Sequence, residues 1–214
     1  DRFNTLQMGM VSTERIFKIL EDDLEITDNG NIEKSSFDGL IEFENVSFSY
    51  IKNQLVIDDI SFIINPGETT AIVGPTGSGK TTITNLITKF YEIDSGTILI
   101  DRKNINEFKL ESLRKKIGVI LQDVFLFADT IFNNITLFNN EISIKDVEKA
   151  AKDLEIHDFI MSLPGGYDFN VSERGSTLSA GQKQLIAFLR VLVNNPDILI
   201  LDEATSSIDS YSED

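Results

Sequence analysis

Eight consecutive residues, from Gly74 to Thr81, constrain what this chain can fold into more than any other stretch. They read GPTGSGKT and match the phosphate-binding pattern G-x-x-x-x-G-K-[ST]. The three glycines remove Cβ atoms that would block close approach by a triphosphate, and they permit positive φ. Successive backbone N–H groups can then form a concave anion nest. The residues predicted to bind nucleotide phosphates are Gly74, Pro75, Thr76, Gly77, Ser78, Gly79, Lys80, Thr81 and Thr82.

Two side chains at the end of this loop carry the chemistry. Lys80 adds a positive charge near the β- and γ-phosphates, and the Thr81 hydroxyl can bind Mg²⁺. Residues 69–73 predict a short buried strand before the loop, and apolar residues three or four apart in 81–90 predict a helix after it. This order places the phosphate at a helix N-terminus. A flexible Gly/Ser turn is the alternative, and the flanking segments argue against it.

Composition narrows the class of partner. The 214 residues carry a formal net charge of −16, whereas binding to a nucleic-acid backbone needs clustered Lys and Arg. We therefore expect no nucleic-acid partner. The chain has no Cys and one His, His157, which excludes thiolate and multi-His metal centres. We expect His157 to be an ordinary surface or half-buried residue.

The N-terminal region is predicted to consist of a helix and a linker. Residues 1–21 have apolar positions mostly three or four apart, and Ser12 and Thr13 mark a plausible helix start. Residues 21–38 are acidic and polar, and we interpret them as a linker. No apolar run approaches the roughly 18 residues that span a bilayer.

Strand patterns lie on both sides of the phosphate loop. Residues 41–50 and 58–64 predict an antiparallel pair of strands before it, and 97–100 and 117–121 predict two strands after it. A short helix is predicted from Leu110 to Lys115. The chain therefore reads as an α/β fold with an antiparallel patch at its start.

Strand patterns disappear from Asp123 to about Leu178, where the spacing of apolar residues predicts several helices. We interpret about 124–182 as a helical subdomain inserted in the sheet. A helix follows at 180–193 with Ser179 as its N-cap. Residues 197–203 then predict a fully buried strand.

Two carboxylates, Asp202 and Glu203, end that strand. Ligand sites in open α/β sheets lie at the carboxyl ends of strands. We predict that Asp202 holds Mg²⁺ through water and that Glu203 acts as general base on the attacking water. A turn with two solvated acids is the alternative, and the phosphate loop in the same chain argues against it.

Two further stretches complete the predicted site. Residues 178–182 open a helix, so Ser179 and Gly181 offer a hydroxyl, N–H donors and a positive dipole end to an anion. A second anion site in a domain with one nucleotide is expected to serve a nucleotide that another copy holds. Gln122 follows a strand, where its amide can contact Mg²⁺ or the lytic water.

At these residues the chain resembles the nucleotide-binding domain of an ATP-binding-cassette (ABC) transporter, over residues 39–214. The resemblance assigns a Walker A loop at 74–81, a Q-loop at Gln122, a signature at 178–182, Walker B at 198–202 followed by Glu203, a D-loop at 206–209, and Tyr50 as the aromatic residue that stacks on adenine. The third signature residue is usually Gly and is Ala180 here, from which we expect weakened closure.

The resemblance implies a P-loop NTPase core with a mostly parallel sheet, an N-terminal antiparallel β subdomain and an inserted helical subdomain. It implies an ATPase that uses ATP and Mg²⁺, with Lys80, Gln122 and Glu203 as catalytic residues. The implied metal-binding residues are Thr81, Gln122 and Asp202. Two copies, identical or related, would pair head to tail, and the implied contacts to the other copy's nucleotide are Ser179, Gly181, Gln182 and Asp209.

The segments 122–127 and 172–175 resemble those of exporters, and the second is similar to the X-loop that touches the membrane domain. Residues 1–21 resemble the tail of the last transmembrane helix, so residues 1–38 are expected to join a transmembrane domain of the same chain at the cytoplasmic face of the membrane. The family's switch histidine is expected beyond Asp214, and we expect residues 1–214 alone to bind nucleotide and hydrolyse little. An ATPase subunit of an importer is the nearest alternative, and a non-hydrolysing regulatory domain is another. A soluble ABC ATPase that acts on DNA or ribosomes is a third, which the net charge of −16 argues against.

Overall fold

Two β-sheets and a group of helices make up the part of the chain that the computed structural model describes, which is residues 2–20, 28–172, 175 and 177–202. In chain order the elements are α1 (Arg2–Leu20), β1 (Ile41–Phe48), β2 (Ile57–Ile64), α2 (Lys80–Ile87), β3 (Ser95–Ile100), β4 (Lys103–Asn104), α3 (Leu110–Lys116), β5 (Ile117–Ile120), α4 (Ile131–Thr136), α5 (Ile144–Asp153), α6 (His157–Ser162), α7 (Ala180–Val193) and β6 (Ile198–Leu201).

The first sheet is antiparallel, with the strand order β2-β1-β3-β4. Alternate residues of β1 are buried because one face of the sheet packs on the core, and Phe43 stacks on Phe62 of β2 at 4.4 Å between ring centroids. A bulge lies between Phe43 and Val46, where Asn45 has a φ of 48°. The predicted antiparallel patch is confirmed, and β3 extends it.

The second sheet is the parallel pair β5 and β6, with Ile117 opposite Ile198 and Ile120 opposite Leu201. Because the strands are parallel and in register, both carboxyl ends reach the same edge of this sheet. The predicted α/β class, with an antiparallel N-terminal sheet and an inserted helical layer, is confirmed. Among the described strands, parallel pairing is confined to β5 and β6.

Two details of the predicted strands are wrong. Residues 69–73 are exposed and form no strand, because no strand of the described residues pairs with them. The strand predicted before the two carboxylates, β6, is not fully buried either, since Leu199 and Leu201 are 48% and 49% exposed. Among the described strands β6 has only one neighbour, β5, so part of its surface stays uncovered.

A separate apolar core lies under α4, α5, α6 and α7, as the predicted helical subdomain requires. Its fully buried side chains include Ile131, Ile135, Val147, Ile160 and Ile186. Between α6 and α7 the chain makes a short 3-10 turn at Gly166–Asp168, preceded by Gly165 with a φ of 90°. The predicted helix at 180–193 and its N-cap are confirmed.

Helix α1 is continuous from Arg2 to Leu20, so the predicted start near Ser12 and Thr13 is wrong. Its large apolar side chains are exposed to solvent, Phe3 to 75% and Leu20 to 73%. Among the described helices, none combines the length and the hydropathy that crossing a membrane requires.

The second half of the predicted linker is bound to the domain. Backbone N–H groups of Asn31 and Ile32 donate to the carbonyl of Glu107, and Phe37 is buried with its ring edge on Phe108 at 5.2 Å. Residues 28–40 therefore form an ordered strap along the sheet. Residues 21–27, the first part of the predicted linker, lie outside the described residues.

Asp101, in the turn after β3, holds the end of this strap. Its carboxylate accepts hydrogen bonds from the Lys34 ammonium and from the N–H groups of Asp38, Gly39 and Leu40, and its side chain is 8% exposed. Burial alone would raise the pKa of Asp101, but these hydrogen bonds, that of Lys34 first, lower it below the ordinary value.

We expect the Asp101→Asn variant to lower the free energy of unfolding by about 2 kcal/mol at neutral pH, because it weakens hydrogen bonds to a charged acceptor. The folded-state pKa of Asp101 is lowered, so its contribution is complete above the ordinary value of 3.8 and is lost as the pH falls through the lower folded-state value. Urea unfolding of both proteins at pH 7 and in acid measures this. Replacing the exposed Asp153 by Asn is the control. If Asp101→Asn lowered the free energy of unfolding equally at both pH values, the prediction would be contradicted.

Candidate nucleotide-binding site

The loop that the sequence predicts to bind phosphate has the backbone that a concave nest needs. Gly77 and Gly79 have φ values of 83° and 89°, in the region that favours glycine. A Cβ on Gly74 would lie 2.6 Å from the Ser78 hydroxyl oxygen, and one on Gly79 would lie 2.7 Å from Ile57. A side chain at Gly74 would therefore press on the loop's own Ser78, and one at Gly79 on the core residue Ile57.

The Lys80 ammonium lies against this loop. It donates hydrogen bonds to the carbonyl oxygens of Gly74 at 2.9 Å and Pro75 at 3.1 Å. The Ser78 N–H also donates to the Pro75 carbonyl, at 3.1 Å, and closes the turn. Among the residues that the structure describes, main-chain carbonyls and not a carboxylate thus hold this positive charge at the loop.

Helix α2 begins at Lys80, within the last two residues of the loop, and fixes the loop to the core. Ile83, Leu86 and Ile87 are buried, as their spacing predicts. The helix ends at Ile87, three residues before the predicted end, and Lys89 then takes a left-handed conformation with a φ of 52°. Phe90, predicted on the buried face, is 52% exposed for that reason.

The loop and the acidic strand end meet in the structure. The Thr81 hydroxyl donates a hydrogen bond of 2.8 Å to a carboxylate oxygen of Asp202. The Asp202 N–H donates to the carbonyl of Ile120 at 2.9 Å, which continues the parallel ladder by one residue. Two predicted metal ligands, 121 positions apart in sequence, are therefore in contact.

Gln122 lies two residues after β5, beside the end of β6 where Asp202 follows Leu201. Because the two strands are parallel and in register, their ends bring Gln122 to the same edge of the sheet as Asp202. The side chain of Gln122 is exposed.

Tyr50 lies beside the start of α2. Its hydroxyl donates to the Thr82 hydroxyl at 3.2 Å and accepts from the Asn85 amide at 3.3 Å. The ring packs edge-on against Phe48 and Tyr91, at 4.8 and 4.9 Å between centroids, and remains 46% exposed. An aromatic surface is thus available next to the phosphate loop.

The predicted signature residues form the start of α7. The Ser179 hydroxyl accepts from the Gln182 N–H at 3.2 Å, and the Gln182 side-chain oxygen accepts from the Ser179 N–H at 2.9 Å. This capping box leaves the Gly181 backbone at the N-terminal end of a 14-residue helix. Ser179 is exposed, so the helix start faces solvent.

Several predicted residues lie outside the described part of the chain. They are Glu203, the D-loop residues 206–209 with Asp209, and Glu173 and Arg174 of the exporter-like segment.

His157 is half-buried as expected, and its Nδ1 lies 3.0 Å from the Tyr167 hydroxyl. Burial, followed by the charge of Glu148, raises the pKa of Tyr167 to about 12.

The sequence interpretation missed two polar residues of the helical subdomain, Asn134 and Arg190. Asn134 is fully buried, and Arg190 is half-buried on α7, where burial lowers the pKa of its guanidinium. Both bind the segment that follows Gln122. A signal was present, because Arg190 stands within the apolar run AFLRVLV and Asn134 within IFNNIT.

The donor set at the strand end fits Mg²⁺ bound together with phosphate. A Thr hydroxyl, an Asp carboxylate and a Gln amide are hard oxygen ligands, and Mg²⁺ is usually bound through one or two carboxylates together with phosphate oxygens and water. In the described part of the chain no three His, Cys, Asp or Glu residues gather as a metal site of their own. The observed Thr81–Asp202 contact is therefore of the kind that serves a metal–nucleotide complex.

Comparison with known proteins agrees with this geometry. The sequence pattern of the family described as "ABC transporter" matches residues 57–206. A putative ABC transporter ATP-binding protein, exp8 of Streptococcus pneumoniae, is 47% identical over 213 residues, which cover 99% of this chain and 36% of that protein. A fatty acid ABC transporter ATP-binding/permease protein of Mycobacterium tuberculosis is 44% identical over 211 residues, which cover 99% of this chain and 33% of that protein.

A solved structure is also similar. The structure of a bacterial Atm1-family ABC exporter with ATP bound matches 99% of this chain and 37% of its own chain, with a TM-score of 0.86 and 39% sequence identity. A putative multidrug export ATP-binding/permease protein, YgaD of Bacillus subtilis, is 44% identical over 211 residues and is covered to 36%. The chain thus spans about a third of the length of the relatives that it matches.

Proposed function

The chain belongs to the ABC transporter family, and from that premise we propose that it binds and hydrolyses ATP to drive transport by an exporter. The relatives that cover almost the whole chain include a putative multidrug export ATP-binding/permease protein, and a similar solved structure is that of an ABC exporter. This favours an exporter over an ATPase subunit of an importer. The transmembrane part would belong to the same polypeptide and would hold this domain at the cytoplasmic face of the membrane.

The contact between Thr81 and Asp202 carries the proposal. A glycine loop alone binds anions, and a carboxylate at a strand end alone binds water or cations. Joined at 2.8 Å, they present a phosphate nest and a hard metal ligand to the same point. A triphosphate with a divalent cation is the ligand that satisfies both.

Each residue of the proposed site has one role in binding. Tyr50 stacks on the adenine ring through its exposed face, and backbone N–H groups of 74–82 bind the phosphates. Lys80 exchanges its two carbonyl partners for phosphate oxygens, which are stronger acceptors. Thr81, Asp202 and Gln122 would hold Mg²⁺, whose positive charge would offset that of the phosphates.

The proposed hydrolysis depends on position and charge. Glu203, which directly follows Asp202, accepts a proton from the water that attacks the γ-phosphorus in line with the leaving oxygen. Gln122 orients that water, and Lys80 stabilises the negative charge of the phosphoryl oxygens.

Two copies of the domain, identical or related, complete the proposed site. The helix start of α7 offers Gly181 N–H and the Ser179 hydroxyl to the γ-phosphate of a nucleotide held by the partner domain. Gln182 and Asp209 would lie at the same interface. Closure of the pair with ATP and opening after hydrolysis would move the transmembrane part.

The proposal predicts saturable binding of one labelled ATP per chain by the full-length protein in detergent or vesicles. The Asp202→Ala variant should keep ATP binding without metal and lose the strengthening that Mg²⁺ gives, by about tenfold, because one charged ligand is removed. Equilibrium titrations with Mg²⁺ and with a chelator measure both. The exposed Asp153→Ala is the control, and an absence of saturable binding to the wild type would refute the proposed function.

A further inference from the structure

A buried polar pair joins the segment that follows Gln122 to helix α7. We call Asn134 and Arg190 the polar clamp. Asn134 on α4 is fully buried, and Arg190 on α7 is half-buried among apolar residues. A polar group in such a place is costly unless its hydrogen bonds are made, so its partners show what it holds.

Asn134 binds both main-chain groups of Phe127. Its side-chain oxygen accepts from the Phe127 N–H at 2.8 Å, and its amide nitrogen donates to the Phe127 carbonyl at 3.0 Å. The same nitrogen donates to the Thr130 carbonyl at 3.0 Å. The Asn134 side chain thus makes the hydrogen bonds to the N–H and C=O of this irregular segment that a neighbouring strand makes in a sheet.

Arg190 connects this arrangement to α7. Its Nε donates to the main-chain carbonyl of Asn134 at 2.8 Å, and its Nη2 donates to the carbonyl of Phe125 at 3.2 Å. One planar guanidinium therefore fixes α4 and the segment after Gln122 relative to each other and to α7. Leu126, between the two clamped residues, is fully buried in the same core.

The clamp lies close to Gln122 along the chain. Three peptide steps separate Gln122 from Phe125, and their fully extended length is about 11 Å. Residues 121–129 contain no helix or strand, so this short segment has no other regular structure to hold it. The first turn of α7 is the proposed contact to a partner's nucleotide. A displacement of this helix would therefore also move the main chain at Gln122.

We infer that Arg190, together with Asn134, is a positioning residue for Gln122. The two residues set how far the Gln122 amide reaches toward the nucleotide, according to where α7 lies. The inference rests on the proposed function, since it gives Gln122 its role at the nucleotide. Arg190 itself contacts no nucleotide in this account. Its effect on hydrolysis passes through the Phe125 carbonyl and the three peptide units before it.

A double-mutant cycle in the full-length transporter tests the inference. In Arg190→Gln we expect kcat to fall about tenfold with KM for ATP within twofold, because misplacing a positioning group affects the reacting geometry more than ground-state binding. If Arg190 acts through Gln122, the double variant with Gln122→Ala should have the kcat of Gln122→Ala alone, within about twofold. Arg190→Lys, which keeps the charge but has a single donor nitrogen in place of the guanidinium's three, should give an intermediate kcat.

Arg114 offers a matched control. Its Nε and Nη2 also donate to two main-chain carbonyls, of Thr88 at 3.1 Å and Lys89 at 2.8 Å, but these follow the far end of α2. Arg114→Gln should lower the unfolding midpoint as Arg190→Gln does, while kcat stays within twofold and any change multiplies with that of Gln122→Ala.

The outcomes distinguish a failure of the role inferred for Arg190 from a failure of the role proposed for Gln122. If Gln122→Ala lowers kcat and Arg190→Gln multiplies with it, Arg190 acts on stability alone and the inference is overturned while the proposed function stands. If Gln122→Ala leaves kcat unchanged, the catalytic role proposed for Gln122 fails, and the clamp has no effect to transmit. A fall in kcat for Arg114→Gln that is also non-additive with Gln122→Ala would equally overturn the assignment to Arg190.

Discussion

Replacing Glu203 by Gln in the full-length protein is expected to lower kcat for ATP hydrolysis about 10³-fold and to leave ATP affinity within about threefold. The substitution keeps size and shape but removes the basic oxygen that we propose accepts the proton of the attacking water, and general-base catalysis supplies about 10²- to 10⁴-fold. The residues proposed to bind ATP and its metal are the loop 74–82 and Asp202, and the substitution alters none of them.

The measurement pairs steady-state hydrolysis with equilibrium binding of labelled ATP to the same preparation. Glu141→Gln is a matched control, because this exposed carboxylate lies 3.9 Å from the Lys115 ammonium, in the segment between α4 and α5. It should leave both quantities unchanged. Hydrolysis at the wild-type rate in Glu203→Gln would remove Glu203 as the base and leave the nucleotide site itself in place.

The parts of the site that could be predicted from sequence are those that local spacing determines. The loop at 74–81 and the buried face of α2 depend on residues that are neighbours in sequence, and the N-cap Ser179 depends on a residue three positions later. The placement of Gln122 and Asp202 at one edge of the sheet was also predictable, because parallel strands bring their carboxyl ends to the same edge.

Features that depend on distant partners could not be predicted in this way. Residues 69–73 have the composition of a strand, yet a strand also needs a neighbour for its N–H and C=O groups, and spacing says nothing about the neighbour. Residues 28–38 look like a solvated linker because they are polar, but their backbone N–H groups bind Glu107 and Asp101. Polarity of side chains does not report where main-chain groups bind.

The polar clamp shows the same limit at the functional site. Arg190 binds main-chain carbonyls that lie 56 and 65 positions earlier in the sequence. A carbonyl is present at every residue, so its use as an acceptor leaves no trace in the sequence. What the sequence does show is an Arg within an apolar helix face, and such a residue is a reason to search for a buried acceptor.

Replacing Lys80 by Ala is expected to weaken ATP binding about 100-fold and to reduce hydrolysis below detection. The ammonium is the one side-chain cation that the structure places on the phosphate loop, by hydrogen bonds to Gly74 and Pro75 within the described residues. Hydrogen bonds between charged groups contribute about 1.5–3 kcal/mol each, so losing one or two of them to phosphate accounts for that factor. In a chain with a net charge of −16, little else offsets the charge of the triphosphate.

The control for Lys80→Ala is the same substitution at a lysine elsewhere in the chain. Lys145→Ala, on the exposed side of α5, changes the net charge equally and should leave ATP affinity within twofold. If both variants weakened binding alike, the general field of the protein would be responsible and not the placement of Lys80. Because screening acts on long-range fields more than on direct contacts, raising the salt from 0.05 to about 0.5 M should leave the Lys80→Ala defect largely intact.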